Sequence, residues 1–320
     1  MTPRQRALAA LRREPPQGKV PHLELEFQLS EQLFGQPALR REMLEGVTGA
    51  RRQDLLRRNA EHWIQVAQRF DWNVITGLHW LPAEDQVQSF RYVRELSGDT
   101  YLLSAFIDGT RSIPNGQEMT EHVVLLTERE EEALEQAQRS CERAIAAGRE
   151  LIAAGAEIIF MCADYCFNDG PFLSPRMFAK HVTPFLTQQV AAFQQAGAVA
   201  CKHTDGDIMP ILDQLAASGI DALHSLDPMA GVDIREVKRL VGDRVTLIGN
   251  VNLAWVQAGT PAQIEQSARY CLQHGGVRQG GYLYATSNCI FQGVPLENYE
   301  FMLSLRDRYG YPEAWNEEQS

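Results

Sequence analysis

The sequence contains no apolar run long enough to cross a bilayer. Its first residues, Met1-Thr2-Pro3-Arg4-Gln5-Arg6, are polar and basic, and no apolar stretch of signal-peptide type follows them, so the cytoplasm is the expected compartment. Positive charge is scarce. Thirty Lys and Arg stand against 41 Asp and Glu, a formal net charge of −11, which argues against binding nucleic acid or an anionic membrane through a basic face. Cysteine is sparse too: six in 320 residues do not make a disulfide scaffold, and each is expected to be a reduced thiol, either buried or functional. Neither Cys-x-x-Cys nor His-Glu-x-x-His occurs; Cys162 and Cys166 are four apart. No Gly-x-Gly-x-x-Gly follows an early strand, which weakens a dinucleotide-binding reading, and there is no Walker-type loop, internal repeat or long Ser/Gly linker.

What is present is ordinary globular composition, 44% apolar, 22% charged and 8% aromatic, enough for one large core. The stretch from Thr2 to Arg13 is helical in pattern and stops at Pro15-Pro16. Leu23, Leu25 and Phe27 alternate with Glu24 and Glu26 and predict a strand with acids on its second face. A helix over about 51–70 leads into a second strand at 72–77. The run 86–108, with turn chemistry at Ser97-Gly98-Asp99, predicts a small β-hairpin insertion. An acidic helix follows over about 128–154.

From Gly155 onward the rhythm is regular. Strands at 156–161, 198–203, 222–226, 245–249 and 281–285 alternate with helices at 174–196, 208–218, 234–241, 261–274 and 296–309. Seven or eight such units in one domain spanning 1–320 predict a single (β/α)8 TIM-type barrel with an N-terminal helical extension.

Chemistry in a barrel sits at the C-terminal ends of its strands, so the polar residues that follow each apolar run are the candidates. After 156–161 come Asp164 and Tyr165. Asp164 is placed for a base or a substrate-orienting carboxylate, or for an Asx turn. After 198–202 comes His203-Thr204-Asp205-Gly206-Asp207, in which His203 and Asp205 alternate to one side; either aspartate is a candidate cap for the next helix. Asn250 and Asn252 follow the strand at 245–249 and are candidate substrate-binding residues. Cys289 ends the last strand and adjoins the first around a closed ring, where its thiol faces the mouth that carries His203. Glu26 and Asp164 are the candidates for proton transfer.

Taken in order, His203-Thr204-Asp205-Gly206-Asp207, Ile248-Gly249-Asn250-Val251-Asn252, Gly259-Thr260-Pro261, Gly280-Gly281-Tyr282 and Pro295-Leu296-Glu297-Asn298 resemble the uroporphyrinogen decarboxylase-like superfamily, clearly from about residue 145 to 310. The resemblance implies a TIM-type barrel and one of two chemistries. The heme-pathway decarboxylase grips tetrapyrrole carboxylates through an N-terminal Arg-Gln-Ala-Gly-Arg motif, absent here, and carries Gly-His-Gly where this chain has Ser287-Asn288-Cys289-Ile290. The other branch, zinc-dependent methyltransferases working with corrinoid proteins, uses His-x-Cys and a distant Cys as ligands. His203 and Cys289 match that pattern, and Asp205 replaces the middle Cys, a harder oxygen for a soft thiolate.

The resemblance therefore implies zinc held by His203, Asp205 and Cys289. The reaction it implies is methyl transfer between a methoxy compound or thiol and a corrinoid (cobalamin) carried on a separate protein, with a homodimer as a possible assembly. The alternatives are a metal-free decarboxylase, with Arg111 and Lys202 as its candidate cations, and a non-enzymatic binding partner of a corrinoid protein.

Overall fold

A computed structural model describes residues 1–315. Its strands are β1 (Val74–Ile75), β2 (Leu102–Phe106), β3 (Ile158–Met161), β4 (Cys166–Phe167), β5 (Gly170–Pro171), β6 (Val199–Thr204), β7 (Ala222–Ser225), β8 (Thr246–Val251) and β9 (Tyr282–Thr286). All except β4 and β5 form one parallel sheet in the order β1-β2-β3-β6-β7-β8-β9. The short antiparallel pair β4–β5 follows β3. Residues 20–28 fill the gap between β9 and β1. Tyr284 N donates to Pro21 O at 2.9 Å, Asn73 N to His22 O at 2.8 Å and Ile290 N to Glu26 O at 2.9 Å, and two parallel bridges join His22 to Tyr284 and Phe27 to Ile290. This segment is the eighth stave of a closed barrel.

Alternation along the strands divides the core in two. Leu23, Leu25, Val74, Ile158, Cys201 and Leu283 pack inside the ring, and Ala7, Ala10 and Leu11 of the N-terminal helix Pro3–Leu11 plug its lower end. There the Thr246 hydroxyl donates to the Ala10 and Leu11 carbonyls. The intervening residues, such as Ala200, Leu223, Leu247 and Tyr282, pack against the outer helices. Among the described residues no helix is long and apolar enough to cross a membrane.

One predicted element is overturned. The 86–108 run is not a hairpin insertion but the helix Ala83–Ser97 followed by β2, a stave of the barrel. Gln86, Ser89, Phe90 and Val93 lie on its buried face at a helix's 3.6-residue period, and Ser97-Gly98-Asp99 is the end of that helix rather than a hairpin turn. Glu84 and Asp85 favour its first turn, and Gly98, at φ 56°, ends it. The acidic helix is Glu130–Ala153, and a further helix, Met119–Glu128, precedes it. The helix expected over 174–196 divides into Pro175–His181 and Thr183–Gln195, where Pro184 supplies no amide donor at the start of the second piece.

Candidate metal centre

The polar cluster lies at the C-terminal mouth, where β3, β6 and β7 run side by side. Register pairs Met161 with Lys202 and His203 with His224. Along β6, Lys202 turns to the outer layer and His203 to the interior.

Lys202 is fully buried and all three of its protons are used. Nζ donates to Asp108 Oδ2 (2.8 Å), Ala163 O (2.8 Å) and Met161 O (3.1 Å), and lies 4.1 Å from the centre of the Tyr165 ring. Asp108 Oδ2 also accepts from Ala163 N at 2.9 Å, and its other oxygen accepts twice from Thr110. Burial alone would raise Asp108, but the Lys202 ammonium and the Thr110 bonds hold its carboxyl below the ordinary range. The pair grips Ala163 through both its N–H and its C=O, and so fixes the next residue, Asp164.

Asp205 is held from the other side. Gly206 has φ +80°, and a Cβ there would lie 2.5 Å from Phe167 O, so only glycine lets the β4–β5 hairpin press against this loop. Asp207 turns away from the mouth, its Oδ1 accepting from Met209 N two residues on, while the following 3-10 turn has Ile208 at its N-terminus and no side-chain cap. Asp205 is left pointing into the mouth. Its Oδ2 accepts from Asn288 Nδ2 at 2.6 Å, and its Oδ1 is buried with no partner among the described residues.

His203 Nε2 stands 3.8 Å from Asp164 Oδ1 and 3.8 Å from Asp205 Oδ1, and the three ligand atoms lie within 4.8 Å of one another. Burial first, then His224 and Lys202, hold His203 well below its usual range, so the imidazole is neutral with a free lone pair. Asp205 is pushed up to about 6 by burial foremost, opposed by the Ser225 hydroxyl and the Asn288 amide and reinforced by the Asp164 and Asp227 carboxylates. Ligand atoms roughly 2 Å from a zinc ion sit about 3.3 Å apart, so the two His203 contacts need to shorten by only about half an ångström. A neutral imidazole, a desolvated carboxylate with an orphaned oxygen and a second carboxylate fit a divalent cation.

The predicted residues fall into three sets. His203, Asp205 and Asp164 converge. Cys289 is partly buried against the same inner wall as Phe106 and Cys162, but its thiol lies outside the converging group; burial foremost, with Glu26 and Asp205 adding, pushes the thiol well up. Glu26 sits further along the mouth, where its Oε1 meets His79 Nε2 at 3.2 Å and this bond holds the carboxyl below its ordinary range. The third set is turned away from the mouth. Tyr165 lies under Lys202, with its hydroxyl on Thr110. Asn250 donates to Leu226 O and accepts from the Cys271 thiol, and Asn252 caps the helix Leu253–Ala258. Both asparagines line a separate cleft with Trp255 and Tyr270.

Sequence reasoning missed His79, Asp108, His224 and Asn288. His79 follows β1 by four residues, and its ring stacks on Phe106 at 3.9 Å. His224 interrupts the apolar run 222–226 opposite His203.

A closed parallel barrel with a metal-capable cluster at the C-terminal mouth is the frame of a TIM-barrel enzyme. Residues 110–309 match the uroporphyrinogen decarboxylase (URO-D) family, and the chain belongs to that family. Over 140 residues it is 29% identical to the methylcobamide:CoM methyltransferase MtaA of Methanosarcina barkeri, a match covering 43% of this chain and 38% of that protein's length. A solved methyltransferase from Methanosarcina mazei has the same fold, with a TM-score of 0.71 at 18% identity over 96% of this chain and 98% of the other. Asp164, His203, Asp205 and Cys289 all lie inside the family match; Glu26 and His79 precede it.

Proposed function

We propose that this chain is a zinc-dependent methyltransferase that moves a methyl group between a small methoxy compound or thiol and a corrinoid carried by a separate protein. The observation that carries the reading is the convergence of His203 Nε2 and the unpartnered Asp205 oxygen on one point of the mouth. The partial match to a methylcobamide:CoM methyltransferase supports the same direction.

His203 and Asp205 would hold the ion. Asp164 is the third donor the geometry offers, and Cys289 the third donor the family resemblance implies. Bound zinc supplies Lewis acidity toward the substrate heteroatom. The chain's own residues do the rest. Asp108 and Lys202 keep the Asp164 loop rigid. Glu26, held ionised by His79, accepts a proton released at the mouth. The corrinoid partner would dock over the same strand ends. The decarboxylase alternative is weakened by one of its candidate cations, because every Lys202 proton is committed within the protein.

Metal analysis after reconstitution tests the reading. About one zinc per chain is expected, lost in His203→Ala and Asp205→Asn. Asp164→Asn and Cys289→Ala, compared side by side, identify the third ligand. Methyl transfer between methylcobalamin and small thiols, or from methoxy compounds to cob(I)alamin, is then expected of the loaded parent. A parent that takes up no zinc overturns the proposal.

A further inference from the structure

His203 has a partner that the metal reading leaves unexplained. Its Nδ1 lies 2.8 Å from Nδ1 of His224, the residue directly opposite on β7, and both rings are buried. Two nitrogens at that distance share one proton, so one ring donates and the other accepts. The direction decides what His203 presents to the mouth. If His224 donates, the His203 proton sits on Nε2, where the Asp164 and Asp205 oxygens, at 3.8 Å, are too far away to accept it. If His203 donates, Nε2 carries a lone pair and His224 carries its own proton on Nε2.

The geometry of the mouth distinguishes the two. His224 Nε2 has no partner among the described residues, so neither arrangement gains a bond there. Only the second gives His203 a lone pair on the nitrogen that stands between the Asp164 and Asp205 oxygens.

We propose that His224 is a positioning residue for the cation: it accepts the Nδ1 proton of His203 and so fixes the tautomer whose Nε2 lone pair faces Asp205 and Asp164. A ligating histidine is commonly oriented by a carboxylate or a backbone carbonyl on its other nitrogen. Here a second, neutral imidazole takes that place. It orients the ring as a carboxylate would, without adding negative charge to a mouth that already holds Asp164, Asp205 and Asp227.

The inference rests on the metal reading, and its test separates the two. The metal-free parent, labelled with 15N-histidine and with His203 assigned from a His203→Gln control, is expected to show His203 protonated on Nδ1. His224→Leu, which removes the acceptor, is expected to lose that single tautomer and to bind zinc about 10- to 100-fold more weakly in a competition titration with a chromogenic chelator. His224→Asn keeps an acceptor near the Nδ1 position and is expected to retain both the tautomer and near-parental affinity. A parent His203 protonated on Nε2, or a folded His224→Leu chain with parental zinc affinity, overturns the inference and leaves the metal reading standing. A parent without zinc affinity overturns the metal reading itself, and this role with it. Should His224→Leu fail to fold, the parent tautomer and the His224→Asn titration still decide.

Discussion

Asp108 and Asp205 are both largely withdrawn from water, one following β2 and the other following β6, and they end in opposite states. Around Asp108 the protein has completed every bond: a lysine, two donations from Thr110 and a backbone amide hold the carboxyl ionised. Around Asp205 it has not. One oxygen is bonded by Asn288, the other is orphaned, and the nearest cation-capable group is a neutral histidine. Burial acts against the charge in both places, more fully at Asp108, whose side chain is 9% exposed, than at Asp205. In the outer layer the chain itself offsets it, and at the mouth the offset is left to something that comes from outside.

The largest way to break this contrast is to strip the completed side. Lys202→Met leaves Asp108 buried without its counter-charge and should cost about 3–5 kcal/mol of stability, measured by chemical denaturation. Zinc should not restore it, since the damage lies in the outer layer. Next comes the open side. Zinc at 100 times its Kd should stabilise the parent by about 2.7 kcal/mol, seen as a raised unfolding midpoint, and should leave His203→Ala unmoved; equal stabilisation of both chains would place the ion elsewhere.

Asp205→Asn sharpens the contrast in the metal-free protein. The carboxyl is raised from 3.8 to about 6, so the folded state holds a proton that the unfolded chain has lost. Its effect on stability is nil below pH 3.8, grows unfavourable as pH rises toward 6 and is constant above. The shift corresponds to roughly 3 kcal/mol, and with the side chain 29% exposed a discounted figure of about 2 kcal/mol is expected. Metal-free Asp205→Asn should therefore be the more stable chain at pH 7 and level with the parent near pH 3.5. The smallest effect is expected from His79→Gln, which removes a partly exposed partner of Glu26: below about 1 kcal/mol in stability, with the Glu26 titration moved upward when followed by NMR.

Much of this was legible in the sequence. The strand–helix alternation after Gly155 located the staves from β3 to β9, and asking which polar residues follow each apolar run picked out Asp164, His203 and Asp205, which converge, and Cys289, whose thiol lies outside their group. The same question misplaced Asn250, Asn252 and Tyr165 because position in the chain does not give the side of the strand. Asn250 follows Ile248 by two but turns outward to Cys271. His79 was passed over because β1 is only two residues long and the ring sits on a short turn beyond it. The Ala83–Ser97 helix was missed because its apolar residues are few and its buried face is partly Gln86 and Ser89. Asp108 and His224 act through neighbours that are remote in sequence, and no local pattern announces a partner 94 or 21 residues away.

The eighth stave has one more consequence. Residues 20–28 are bonded to the far end of the chain: Val20 N donates to Gly310 O, Arg306 Nε to Val20 O across 286 residues, and Lys19 pairs with Asp307. The barrel is therefore a hoop whose buckle joins its first turn to its last. A chain emerging from the ribosome has both halves of that buckle only after Gly310 has been synthesised, and β9 stays an open sheet edge until residues 284–290 meet residues 20–28. Contacts of such long sequence separation make closure slow relative to the formation of the individual βα units. The same seam leaves the nascent barrel exposed to aggregation until its late strands have been made.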